Sequence, residues 1–215
     1  MFAAPPEQSL EWTESGVEGA FRFLKKLWRG VITHLESGQA GSLDPSKLDD
    51  QQQALRRKTH ETIQKVSDDY GRRQTFNTAI AATMELLNDV SKQADRSHAQ
   101  GLAVEREALR SAILMLAPIV PHITHALWSQ LGEPTPLLDT PWPSVDENAL
   151  VKASTTIVVQ VNGKVRCKFD AAVDADKPSL EAKALAEPNV QRFLEGKNVA
   201  KVIVVPNKLV NIVAK

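Results

Sequence analysis

The hydrophobic period of this chain changes once, across a stretch that neither a helix nor a sheet interior can accept. "GEPTPLLDTPWPSVD", residues 132–146, holds four prolines in 15 residues. Each proline lacks an N–H and fixes its own φ, so the stretch is expected to be an extended strap or linker. Trp142, between two of these prolines, is expected to anchor it against what precedes it. Upstream, apolar residues recur at steps of three and four; downstream, they alternate. The expectation is a multidomain α plus α+β chain: an antiparallel helical bundle over 1–133, the proline-rich strap over 134–152, and a small α+β domain over 153–215.

Five helices are expected upstream. Ser15 and Glu18 fit a capping box, and Val17, Phe21, Leu24, Trp28, Val31 and Leu35 then mark one apolar face. Asp44-Pro45 is expected to start the second helix, with Leu48, Leu55, Ile63 and Val66 on its apolar side. Gly71 interrupts, and Phe76, Ile80, Thr83, Leu87 and Val90 mark a third helix that Arg72-Arg73 should open. The fourth carries Leu102, Leu109, Ile113 and Leu116, and a fifth runs from about Pro121 to Leu131, before Gly132. Downstream, Ile157, Val159 and Val161 alternate with polar or second-face residues, and Asn162-Gly163 is the favoured pair for a type I′ hairpin turn. Val165, Cys167 and Phe169 continue an inner face. A helical stretch after Pro178 and two strands around Pro206-Asn207 complete a ββ-α-ββ order.

Composition bounds the class. Of 215 residues, 42% are hydrophobic and 24% charged, as in ordinary globular proteins. No apolar run approaches the ~18 residues of a membrane span. The start "MFAAPPEQSL" lacks the basic and apolar regions of a signal peptide. The single cysteine, Cys167, allows no internal disulfide, which fits a reducing compartment, and a cytoplasmic protein is expected. The chain is neutral overall, but the charge is divided. Residues 1–151 carry 15 Lys+Arg against 20 Asp+Glu, and residues 152–215 carry 11 against 6. A basic tail behind an acidic body suits an anionic partner, and solvated surface lysine explains it equally well.

Chemistry-bearing motifs are absent: no glycine-rich phosphate loop, no Cys-x-x-Cys pair, no nucleophile elbow. No catalytic residue and no metal site is expected. His122 and His125 stand three apart without a carboxylate trio or cysteine beside them, and Cys167 falls on an apolar strand face. The cations say more. Arg22, Lys26 and Arg29 share one stripe of the first helix, joined by Lys25, and no acidic residue occurs from 19 to 35. Arg72-Arg73 at a helix start would oppose the macrodipole, which invites an RNA phosphate or a carboxylate partner. Lys164, Arg166 and Lys168 occupy every second position past the hairpin turn, ~6.6 Å apart on a strand. Such a comb can follow a nucleic-acid backbone or simply protect an exposed sheet face; the pattern leaves both open.

"GRRQTFNTAIAATMELLNDV", "LAPIVPHITHALWSQLG", "TPWPSVDENALVKASTTIVVQVNGKVRCKF" and "VIVVPNKLVNIV" resemble the C-terminal region of bacterial-type leucyl-tRNA synthetases. "MFAAPPEQSLEWTESGVEGAFRFLKKLW" resembles the segment just beyond their catalytic domain, so the likeness spans essentially the whole chain. It implies a class I ligase whose full-length form uses ATP and Mg2+ and whose catalytic and editing domains lie upstream. The helical part would be of the anticodon-binding type, and this region alone would be inactive and without a cofactor. It implies tRNA-Leu as partner, no membrane, and a C-terminal domain that holds the tRNA elbow. Lys164, Arg166 and Lys168 would then lie near RNA, with Lys197, Lys201 and Lys208 as helpers, and Arg22 and Lys26 would face the tRNA body. A free-standing RNA- or protein-interaction paralogue, and the matching region of an isoleucine, valine or methionine synthetase, are the alternatives; "VQVNGKVR" and "VPNKLVNIV" speak against the sibling enzymes.

Overall fold

The computed structural model describes Ser9 and residues 13–151, 154–173 and 175–214. The first residues of "MFAAPPEQSLEW", and residues 152 and 153 at the expected domain boundary, lie outside the described residues. The chain divides into two compact units, Met1–Leu150 and Val151–Lys215.

The first unit is a helical bundle. Helix α1 spans Glu14–Glu36, α2 Asp50–Asp68, α3 Phe76–Gln93, α4 Ala99–Leu116 and α5 Pro121–Gln130. Three of these starts have a chemical cause. Thr13 caps α1 by accepting from the Gly16 N–H at 3.3 Å, so the helix begins before the expected Ser15 box. Asp44-Pro45 opens only a 3-10 turn, Pro45–Lys47. Helix α2 begins at a reciprocal capping box between Asp49 and Gln52. Pro121 sits in the first turn of α5, where its missing N–H costs nothing.

Buried Leu55, Ile63 and Val66 of α2, Ile80, Leu87 and Val90 of α3, and Leu109, Ile113 and Leu116 of α4 make one core. Helix α1 departs from expectation. It buries Phe23, Leu27 and Val31 with His34, while Val17, Phe21 and Trp28 remain exposed. Two stripes of large apolar residues compete on this helix, and neighbours on α3, α4 and α5 accept the Leu27 stripe. One close approach requires glycine. A Cβ at Gly101, in the first turn of α4, would lie 1.9 Å from the Asp95 carbonyl oxygen, so the α3–α4 connection rests directly on that residue.

The proline-rich stretch belongs to this unit. A 3-10 turn, Leu137–Asp139, buries Leu137, and a short α6, Glu147–Leu150, buries Ala149. Trp142 donates its indole N–H to Ser67 Oγ at 2.8 Å and meets the Tyr70 ring edge-on, centroids 5.4 Å apart. Burial pushes the Tyr70 hydroxyl up to about 12, and it donates to the Met115 carbonyl at 2.8 Å. Asp146 accepts from Arg56 at 2.6 Å, and its own N–H donates to His60 Nδ1 at 3.1 Å. That fixes the neutral Nε2–H tautomer of His60, which faces Glu107 Oε1 at 3.2 Å. Leu137, Trp142 and Asp146 thus fasten the strap along its length. Among the described residues no helix is long and apolar enough to cross a membrane.

The second unit is a mixed four-stranded sheet in the order β2-β1-β4-β3. Its strands are β1 Ser154–Val161, β2 Lys164–Ala172, β3 Val199–Val205 and β4 Leu209–Ala214, with α7 Lys177–Ala186 and α8 Pro188–Leu194 between β2 and β3. β1 pairs antiparallel with β2 and parallel with β4, which pairs antiparallel with β3. Asn162 and Gly163 both have positive φ, 51° and 78°, as the tight turn demands. Ile157, Val159, Val161, Val210 and Ile212 point toward Leu180, Ala184 and Val190 of the two helices. The helical stretch breaks at Pro188, which starts α8 with Glu187 as its cap.

Candidate nucleic-acid interface

On the bundle, the chain between the helices turns the first-helix stripe into a cleft. Arg22, Lys25, Lys26, Arg29, Gly30 and Thr33 of α1 line an open space of about 520 Å³. Ser91, near the end of α3, and Arg96, in the α3–α4 connection, close the other side. Five of the eight lining residues are cationic and none is acidic. Arg22 and Arg29 are exposed and make no ion pair among the described residues. Lys26 donates to the Asn88 side-chain oxygen and keeps its charge uncompensated. The four α1 cations have no carboxylate partner among the described residues, and such a concentration attracts an anion with several charges.

Arg96 is fixed from behind. Its Nε and Nη2 reach both oxygens of Glu105, at 2.6 to 3.1 Å. Glu105 is fully buried and also meets His34 Nδ1 of α1 at 3.0 Å. Burial alone would raise the Glu105 carboxyl; the bonds from His34 and Arg96, and the Arg96 charge, outweigh it and hold the carboxyl below its ordinary range. The rest of the connection is set by Asp95, which accepts from the Ser97 N–H at 3.0 Å and from Gln52 at 3.2 Å. Sequence reasoning missed Arg96. The signals that could have placed it were the Asp95-x-Ser97 turn and the glycine at 101, and neither points to an anion.

Arg72 and Arg73 lie elsewhere than expected. They belong to a π-helical turn, Asp69–Arg73, that extends α2, so they stand at a helix C-terminus, where the macrodipole favours cations. Arg72 forks to Asp68 at 2.6 and 2.8 Å. Arg73 reaches Asp69 at 3.0 Å, and this fully buried carboxylate also accepts from Lys65, Thr75 and Thr78. A carboxylate partner in the same helix explains the pair, and neither arginine lines the cleft.

In the second unit the comb does not form. Opposite Val159 and Gln160 of β1 stand Cys167 and Val165, so Arg166 is an extra, bulged residue. One inserted residue reverses the alternation beyond it. Lys168 pairs with Val158, on the face away from the helices, whereas Lys164 pairs with the buried Val161. Arg166 is half-buried, its Cζ 3.6 Å from the centroid of the Phe193 ring in α8. The bulge also exposes Val165, which was expected on the inner face. Cys167 is half-buried and packs against the core; burial, then the charge of Glu187, pushes its thiol up. Lys201 of β3 pairs with Val213 and shares the uncovered face with Lys168. Lys197 follows α8 and Lys208 lies in the β3–β4 turn, both exposed. His122 and His125 are exposed on α5, and no three His, Cys, Asp or Glu side chains among the described residues are placed to hold a metal ion.

The family model described as the anticodon-binding domain of tRNA ligase matches residues 52–183, more than half of the chain. The leucine–tRNA ligase of Saccharophagus degradans is 69% identical over 214 residues, covering 100% of this chain and 26% of the relative. That of Cellvibrio japonicus is 68% identical, again over the whole chain and 25% of the relative. The chain therefore spans about a quarter of the length of the curated relatives it matches. Among solved structures, the ternary complex of Agrobacterium radiobacter K84 agnB2 LeuRS with tRNA and LeuAMS matches with a TM-score of 0.78 and 25% identity, over 100% of this chain and 28% of that one. The match over more than half of its length shows that the chain belongs to the family of anticodon-binding domains of tRNA ligases.

Proposed function

We propose that this chain is the tRNA-holding part of a cytoplasmic leucine–tRNA ligase. The observation that carries the reading is the cleft between α1 and the α3–α4 connection, where four α1 cations without a carboxylate partner among the described residues converge with Arg96, whose charge is shared with Glu105. The ligase names of the relatives and the tRNA in the matched LeuRS complex support it. The anion is then a stretch of tRNA backbone. Arg29 and Arg22 can fork to phosphate oxygens, and Arg96, held by Glu105, is already oriented to do so.

The basic second unit holds the tRNA elbow in this reading. Its open sheet face offers Lys168 and Lys201; Lys197 and Lys208 are exposed beside it, while Arg166 is engaged by Phe193. Neither unit does chemistry. Both orient the RNA so that its acceptor end reaches the catalytic part of the ligase, where a displacement of ~1 Å can cost ~100-fold in rate. ATP and Mg2+, which leucine activation uses, would be held elsewhere in that polypeptide. Among the described residues no three His, Cys, Asp or Glu side chains are placed to hold a metal ion.

Replacing Arg22, Lys26 and Arg29 together by alanine tests the reading. Every phosphate that the protein ceases to neutralise makes the slope of log affinity against log salt shallower by roughly 0.9. The triple variant is expected to bind a tRNA-Leu transcript more weakly and with a shallower slope. An unchanged affinity and slope would remove the cleft from the RNA surface.

A further inference from the structure

Trp28 is a tryptophan whose indole N–H has no partner among the described residues. Trp128 is buried and donates its indole N–H to the Thr135 carbonyl at 2.8 Å, and Trp142 donates to Ser67 at 2.8 Å. Trp28 Nε1 has no acceptor among the described residues, and 41% of the residue is exposed. Phe21, two turns earlier on the same helix, is 56% exposed. At about 100° per residue, Val17, Phe21 and Trp28 share one stripe. None of them lines the cleft; by helical angle the stripe lies beside Lys25, at the edge of the cationic face. Exposed aromatics grouped this way mark a surface made to be covered.

The surrounding charge identifies what covers it. Glu14 and Glu18 stand beside Val17 and Phe21 at the start of the stripe, but no acidic residue occurs from 19 to 35, around Trp28, and Arg22 and Arg29 are unpaired among the described residues. An occupant that covers Trp28 and meets Arg29 presents a flat apolar face and, within one side-chain length, negative charge. A nucleotide does both. Phe21 already carries a cation on its ring, with Lys25 Nζ 4.4 Å from the centroid, so the indole is the freer platform. Its unused N–H can also donate to a phosphate or base oxygen.

We infer that Trp28 is a stacking platform for an unpaired nucleobase of the RNA whose phosphates occupy the neighbouring cleft. The inference rests on the RNA-binding reading above and adds an interaction that salt does not screen. The platform is sequence-tolerant, because every base has a π-face.

The test compares Trp28→Leu, Trp28→Phe and the double variant Arg22→Ala/Arg29→Ala in the full chain, with an unmodified tRNA-Leu transcript as probe. Leucine keeps the apolar bulk and removes the ring. Trp28→Leu is expected to weaken binding at least about fivefold, the lower end for loss of one stacked base, with the salt slope and thermal midpoint unchanged. Trp28→Phe is expected to retain most of the affinity. The double arginine variant is expected to change affinity and slope together. If Trp28→Leu binds as tightly as the parent while the arginine variant is weakened, the platform is overturned and the RNA reading stands. An apolar protein surface is then the occupant of the stripe. Equal losses from leucine and phenylalanine also overturn stacking. If no variant changes binding, the RNA reading fails at this helix and the platform fails with it.

Discussion

Glu105 is the residue on which the bundle site turns. It is an acidic side chain with no access to solvent, yet it stays ionised because His34 and Arg96 converge on it. Glu105→Gln leaves Arg96 without its anion, and breaking a partly buried pair of this kind costs roughly 3 kcal/mol. Urea denaturation at neutral pH measures that loss. The same carboxyl, with Asp69, ties stability to acid. Both are held below their ordinary values: burial opposes the shift, and hydrogen bonds from Thr78 and Lys65 to Asp69, and from His34 and Arg96 to Glu105, overcome it. A depressed folded pKa contributes stability that is full above the unfolded value, ~4, and is lost as pH falls through the folded value. The parent is therefore expected to lose stability steeply below about pH 4, and Glu105→Gln to show a flatter acid limb. Gly101→Ala acts on the same site through the backbone. A Cβ at 1.9 Å from the Asp95 oxygen forces the α3–α4 connection outward. The expected cost is roughly 1–3 kcal/mol, with weaker RNA binding because Arg96 moves with the connection. A variant of unchanged stability and affinity would contradict this account of the loop.

At the scale of the element, α1 and β2 show how far the sequence could be read. Helices α2 and α3 were legible because each has one apolar stripe: Leu55, Ile63 and Val66 on α2 face the core as their spacing requires, whereas α4 is buried nearly all round. Helix α1 has two. Val17, Phe21 and Trp28 repeat as regularly as Phe23, Leu27 and Val31, and only the packing of neighbouring helices decides between them. The α1 cations were legible as a stripe, but the cleft they line was not, because Arg96 arrives from a connection more than 60 residues away in sequence. The bulge in β2 was equally hidden. No glycine or proline marks Val165-Arg166, and the alternation of Lys164, Arg166 and Lys168 looks regular until pairing with β1 fixes the register. The placement has a testable consequence. Lys168→Ala and Lys201→Ala, on one open face, should each make the salt slope of RNA binding shallower by about 1, and Lys164→Ala should leave it alone. Phe193→Ala should release Arg166 at a cost of about 0.5–1 kcal/mol, read from thermal unfolding of the chain.

The whole molecule pairs a helical unit with a basic sheet unit, and the neutral total conceals the division. Each unit contributes exposed cations from rigid elements: α1 and the braced α3–α4 connection in one, the outer face of the sheet in the other. An RNA held this way is recognised by shape and backbone more than by base sequence. The most direct measurement is a titration of a tRNA-Leu transcript into the 215-residue chain across a salt series, with an acidic polypeptide as competitor. The account predicts a linear fall of log affinity with log salt, with a slope of about −4 or steeper for five or more phosphate contacts, and no displacement by the acidic competitor. An affinity independent of salt, or RNA displaced as readily by the acidic polypeptide as by unlabelled tRNA, would contradict it.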